Sequence, residues 1–175
     1  RNVVIIGACP AGLSCAAKLL EAGHIVTIFD KSSEFGGMIE SVIPPDKQSD
    51  SLKREIAAIF ADVPKERMVL HLGKELDIEF NLDNVIKEGF DAVFIGMGLS
   101  ASVNINDNVK DIEGLWNAME FLSSAKGPMN LDIEGKRVAV IGGGNTAMDV
   151  AITARQLGAK DVYVIYRRSF KEMPA

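Results

Sequence analysis

Two stretches of this chain have the residue types and spacing needed to grip phosphate. Gly7-Ala8-Cys9-Pro10-Ala11-Gly12 follows the apolar run Val3-Val4-Ile5-Ile6, and Gly142-Gly143-Gly144-Asn145-Thr146-Ala147 follows Val138-Ala139-Val140-Ile141. A diphosphate needs unpaired backbone N–H groups and a partial positive charge, and the start of a helix offers both. In such turns the first glycine permits the sharp bend, the second lets the backbone approach the phosphates, and the third lets helix and strand pack closely. The first turn has Gly7 and Gly12 in the outer roles, with Cys9 at the second position, where its β-carbon and sulfur would either crowd a diphosphate or shift the loop. Pro10 lacks an N–H, which a first helical position can spare. The second turn has Gly142, Gly144 and Ala147, a complete G-x-G-x-x-A pattern.

Charge at the end of the following strand separates the two. Asp30 closes Val26-Thr27-Ile28-Phe29, and an acid there hydrogen-bonds ribose hydroxyls. Arg167 and Arg168 close the matching run of the second unit, and a planar guanidinium there pairs with a 2′-phosphate. The second unit therefore reads as an NADP(H) site, and the pair of units as holding two different nucleotides.

The elements that would position these residues follow from periodicity. Residues 2–6 read as a fully buried strand and 136–141 as a strand. Helices are expected over about 10–22 and 145–157, with apolar stripes Leu13, Ala16, Ala17, Leu20 and Ala147, Val150, Ala151, Ala154. Gly23 and Gly158 fit helix stops. Strands over 25–29 and 161–166 complete two right-handed βαβ units. Between them we expect a long polar loop at 31–50, a helix over 51–60, a short strand at 69–72 and a helix from Asn81 to about Glu88. A buried strand over 91–96 and a helix over 115–124 follow. Lys126-Gly127-Pro128 breaks the last of these, which places a domain boundary near 125–134.

Bulk properties bound the function. The chain has 175 residues, 47% hydrophobic and 25% charged, with a net charge of −5. That balance is ordinary for a globular protein and does not imply a nucleic-acid surface. No apolar run approaches the roughly 20 residues of a membrane helix. The two cysteines, Cys9 and Cys15, form no CxxC pair and cannot by themselves hold an iron–sulfur cluster, so a reducing cytoplasm is expected. The start without Met, close to a first strand, and the end just past a last strand predict a piece of something longer. His24 reads as a turn residue, and His71 has no clustered ligands. No side chain is nominated as a catalytic acid, base or metal ligand. A non-catalytic dinucleotide-binding fragment or sensor is the competing reading.

The chain resembles the adrenodoxin-reductase-like FAD/NADPH module shared by the glutamate synthase small subunit, dihydropyrimidine dehydrogenase and putative selenate reductase subunits. The resemblance lies in the two turns, Val26–Asp30, Gly36-Gly37-Met38, Ile43-Pro44, and the segment Tyr166-Arg167-Arg168-Ser169-Phe170-Lys171-Glu172-Met173-Pro174-Ala175. It implies an α/β fold of two Rossmann-type units, with an NADPH domain inserted in a FAD domain. Residues 1–125 would then be a FAD-binding domain without its C-terminal return segment, and 126–175 the start of an NAD(P)H-binding domain. It also implies that FAD meets Gly7, Cys9, Ala11, Gly12, Asp30, Lys31, Gly37, Met38 and Leu76. Lys47 stands where the family carries an arginine against the flavin, and Asp30 where it carries a glutamate. NADPH would meet Gly144, Asn145, Thr146, Arg167 and Arg168, and electrons would pass to an iron–sulfur domain or subunit.

Overall fold

The computed structural model describes residues 1–43, 52–77, 81–99, 112–127 and 131–175. The chain divides into two compact units. Of the described residues, 1–40 and 52–99 belong to the first, and 41–43, 112–127 and 131–175 to the second.

The first unit is a parallel sheet of β1 (Asn2–Ile6), β2 (Ile25–Asp30), β3 (Met68–Leu72) and β4 (Ala92–Ile95), in the order β3-β2-β1-β4. Four consecutive buried residues, Val3 to Ile6, show that β1 is covered on both faces, as a central parallel strand must be. Alternate side chains go to opposite faces. Ile5 and Ile28 pack with Leu13, Ala16 and Leu20 of α1 (Pro10–Glu21), while Val4, Ile6 and Phe29 pack with Val85. Val85 belongs to α4 (Leu82–Lys87), whose N-cap Asn81 accepts the N–H of Asn84 at 3.0 Å. Two further helices, α2 (Met38–Ser41) and α3 (Leu52–Phe60), precede β3. Arg67 secures the exit of α1, its Nη2 donating to the carbonyls of Leu20 at 2.6 Å and His24 at 2.9 Å.

This strand order fixes where a ligand can sit. The chain leaves β1 for β2 on one side and later returns to β4 on the other. The crevice beyond the carboxyl end of β1 is therefore a topological switch point, where open α/β sheets bind their ligands.

The second unit contains α5 (Ala118–Lys126), β5 (Arg137–Ile141), α6 (Asn145–Gln156) and β6 (Asp161–Ile165), with β5 and β6 parallel. Its core joins Phe121 and Leu122 of α5 to Leu131, Ile133, Val140, Ala147, Val150 and Ala154. Helix α5 thus belongs structurally with α6, and the division falls upstream of the 125–134 boundary expected from Lys126-Gly127-Pro128. The apolar face of α5 is what decides it, since Phe121 and Leu122 are both almost fully buried in this core. On the other sheet face, Ala139, Ile141, Tyr163 and Ile165 remain exposed, in the register Ala139↔Tyr163 and Ile141↔Ile165.

Candidate functional site

Each glycine turn links a parallel strand to a 12-residue helix and is tied to the end of the next strand. Gly7 N–H donates to the Phe29 carbonyl at 2.7 Å, and Gly142 N–H to the Ile165 carbonyl at 2.9 Å. The first glycines adopt φ values of 111° and 137°, a region that side chains rarely enter. The turns therefore share this backbone geometry in the two units.

In the first unit, close packing consumes most of the space around the turn. A β-carbon on Gly7 would lie 2.6 Å from the Gly96 carbonyl oxygen, and one on Gly12 only 1.8 Å from that of Gly7. Gly12 thus fills the helix-on-strand role assigned to the third glycine. Cys9 is the N-cap of α1, and its thiol donates to the Gly96 carbonyl. Its β-carbon presses on Gly37, where an added Cβ would approach it to 2.8 Å. Gly36 N–H reaches the Ala8 carbonyl at 2.7 Å. Three segments, the turn, the Gly36-Gly37 bend and the end of β4, therefore meet around Cys9. The Gly96-Met97-Gly98 signal at the end of β4 is visible in the sequence, but its contact with the turn is not.

Asp30 is used differently from a free ribose acceptor. Its Oδ2 accepts Ala8 N–H at 2.6 Å and its Oδ1 accepts Ser32 N–H at 2.7 Å. A carboxylate has about four acceptor directions, so two remain for other donors. No carbonyl of α1 reaches its first-turn amides, so the N–H groups of Ala11 and Gly12 have no acceptor within the helix. Lys31 is exposed, with Nζ 4.0 Å from Glu75 Oε1. Met38 is 44% exposed at the start of α2, and Leu76 packs half-buried against the cluster of Val4, Ile6, Phe29 and Val85. Lys47 lies outside the described residues. His71 stacks on Phe29 with ring centroids 4.6 Å apart.

The second turn is open where the first is filled. Gly144, the N-cap of α6, has φ −93° and ψ 173°, and a β-carbon there would meet nothing within 4 Å. The first-turn amides of Asn145 and Thr146 have no helical acceptor. Ala147 is buried and packs under Gly142. Gly143 is closed in, since a β-carbon would lie 2.8 Å from the Tyr166 ring and 3.2 Å from Met173 Cγ. Arg167 and Arg168 are exposed and make no hydrogen bond or ion pair among the described residues. Behind them a 3-10 turn, Phe170–Glu172, is fixed by a capping box in which Glu172 Oε2 accepts Ser169 Oγ at 3.0 Å and Ser169 N–H at 3.2 Å. Tyr166 Oη donates to the Glu172 carbonyl at 3.2 Å. The spacing Ser169-x-x-Glu172 is itself a capping-box signature, so this support was legible in the sequence.

These features meet the requirements of a dinucleotide cradle: helix starts aimed into a strand-end crevice, and an open path to the backbone at Gly144. Together they define a Rossmann-type α/β protein with two strand–turn–helix units. The pattern of the pyridine nucleotide-disulphide oxidoreductase family matches residues 1–172, and the chain belongs to that family.

Relatives extend the comparison. The chain is 41% identical, over its full length, to the NADP(+)-dependent formate dehydrogenase subunit beta of Moorella thermoacetica, of which it covers 24%. It is 35% identical over 99% of its length to the glutamate synthase [NADPH] small chain of Escherichia coli K12, covering 38% of that protein. With the NADPH-Fe(3+) oxidoreductase subunit beta of Geobacter sulfurreducens it shares 36% identity over its whole length and 26% of the relative. The chain thus spans about a quarter to two-fifths of these relatives. Among solved structures, a 2-naphthoyl-CoA reductase complex superposes with a TM-score of 0.69 at 25% identity, over 93% of this chain and 23% of that one. Among the described residues, no helix is long and apolar enough to cross a membrane.

Proposed function

We propose that this chain is the nucleotide-binding part of a flavin-dependent oxidoreductase that takes electrons from NADPH and passes them to iron–sulfur partners. One contrast carries the reading. Two units with like backbone turns end in opposite charge, a carboxylate anchored by Ala8 and Ser32 in the first and two guanidiniums without a partner among the described residues in the second.

In the first unit, Gly7, Cys9, Ala11 and Gly12 present the helix start to the FAD diphosphate. Asp30 turns its remaining lone pairs to the ribose and repels a 2′-phosphate. Lys31, Gly37, Met38 and Leu76 complete that site. In the second, Gly142, Gly144, Asn145, Thr146 and Ala147 form the diphosphate turn of NADPH, and Arg167 and Arg168 hold its 2′-phosphate. The bound nucleotides supply the chemistry, with hydride transfer from nicotinamide to flavin and single electrons onward. The chain's own residues bind, orient and exclude water.

The names of relatives that carry NADPH or NADP(+) support the second unit's assignment. An iron–sulfur cluster takes four cysteines as a rule, and this chain has two, so the cluster belongs to another domain or subunit. Unbridged cysteines suit a cytoplasmic setting.

The test is spectroscopic. Purified protein is loaded with FAD, freed of excess, and its visible spectrum recorded without oxygen before and after NADPH. Retained flavin bands that bleach are expected. Failure to retain flavin, with no NADPH binding in a separate titration, overturns the proposal.

A further inference from the structure

Phe170 is 87% exposed, well above Tyr163 at 53% and Trp116 at 39%, the other exposed aromatic residues among those described. An isolated exposed apolar side chain is common and needs no function. What sets Phe170 apart is how firmly its backbone is held and what stands beside it.

The residue opens the 3-10 turn that follows the two arginines. Ser169 and Glu172 lock the turn through the capping box. Glu172 N–H returns to the Ser169 carbonyl at 3.0 Å, and Met173 N–H to that of Phe170 at 3.2 Å. The turn is also seated on the diphosphate loop, because Tyr166 and Met173 both close over Gly143, and Tyr166 Oη holds the Glu172 carbonyl. The backbone of a residue on a turn fastened in this way is already ordered, so stacking on its ring costs only the freedom of that one side chain.

The chemistry of the ligand supplies the geometry. Building on the reading of the second unit as an NADPH site, the 2′-phosphate and the adenine sit on adjacent carbons of one ribose. A chain that offers guanidiniums to the phosphate must present its adenine surface close to them in space, and a residue next to them along the chain is well placed to do so. Arg168 and Phe170 are separated by Ser169 alone, whose side chain is engaged with Glu172. We propose that Phe170 is the adenine platform of the second unit, with Tyr166, Ser169 and Glu172 as the residues that position it.

The probe is adenosine 2′,5′-bisphosphate, which carries the adenine and the 2′-phosphate without the nicotinamide half. Its affinity is measured calorimetrically alongside that of NADPH. Phe170→Ala is expected to weaken both by about tenfold, the usual scale of base–aromatic stacking. Phe170→Trp is expected to retain affinity, with the introduced indole quenched on binding. Since Phe170 is exposed, both variants should melt like the wild type. Unchanged affinity in Phe170→Ala overturns the proposal, as does an equal loss in Phe170→Ala and Phe170→Trp. If the wild-type protein binds neither nucleotide, the NADPH reading itself fails, an outcome distinct from a failure of the stacking role.

Discussion

Gly144→Ala separates a nucleotide cradle from a mere tight turn. The backbone at Gly144 is extended, φ −93° and ψ 173°, a conformation open to any residue, and the added methyl meets nothing within 4 Å. Alanine is a poorer N-cap than glycine, by up to about 1 kcal/mol. It also stiffens the unfolded chain, which returns about 0.4–1 kcal/mol. The two nearly cancel, so Tm should move by less than about 4 °C. Binding responds differently if the diphosphate lies against this backbone, because the methyl then fills the space of the ligand. Overpacking of that kind costs about 1–3 kcal/mol, or roughly a 5- to 150-fold rise in Kd for NADPH. Titration calorimetry and a thermal melt on the same sample measure both quantities. Gly143→Ala is the contrast, since its β-carbon would lie 2.8 Å from the Tyr166 ring and it should lower Tm. Wild-type NADPH affinity in Gly144→Ala, with Tm unchanged, would refute the argument that the diphosphate contacts this turn.

Replacing both Arg167 and Arg168 with Ala should leave Tm unchanged, because neither has a partner among the described residues. NADPH affinity should fall by about 10- to 100-fold, the scale of lost charge-assisted bonds, while NADH affinity holds; equal losses for both nucleotides in titration would remove the 2′-phosphate assignment. Gly12→Ala places a β-carbon 1.8 Å from the Gly7 carbonyl oxygen. It should cost about 3 kcal/mol and lower Tm by about 10 °C, and a melt within 2 or so degrees of wild type, about 1 kcal/mol, would contradict the packing described. Burial pushes the Cys15 thiol above its ordinary pKa. The folded state therefore holds this proton more tightly than the unfolded one. The stabilisation is complete below the ordinary thiol range and is lost as pH rises through it toward the folded value. Denaturant midpoints measured across alkaline pH should fall less steeply in Cys15→Ala than in the wild type.

The parts of this fold that the sequence displays most plainly are those written in local pattern. The β-branched runs before each glycine turn, the stripes of α1 and α6, and the Asn81 cap all depend on residues a few places apart, and all are where periodicity and capping chemistry put them. Helix α5 begins at Ala118 rather than Leu115, because the Asn117 side chain caps it by accepting Met119 N–H at 3.0 Å. The short α2 lies inside the stretch expected to be loop, where Gly36 and Gly37 concealed it. The site divides along the same line. Which residues form the turns was legible. What Asp30 and Cys9 actually touch was not, since those hydrogen bonds span 22 and 87 positions and leave no trace in spacing. Asp30 differs from a glutamate by one methylene, and its carboxylate is bonded to the turn through Ala8.

The bonds from Gly7 to Phe29 and from Gly142 to Ile165 give the chain a pair of matched reporters. Each amide sits at the same place in its unit and breaks free only when its turn parts from the neighbouring strand. Isotope exchange at these two positions, followed while either nucleotide is added alone, would register the loading of each half separately. A single polypeptide thereby carries one internal gauge for each of its two units.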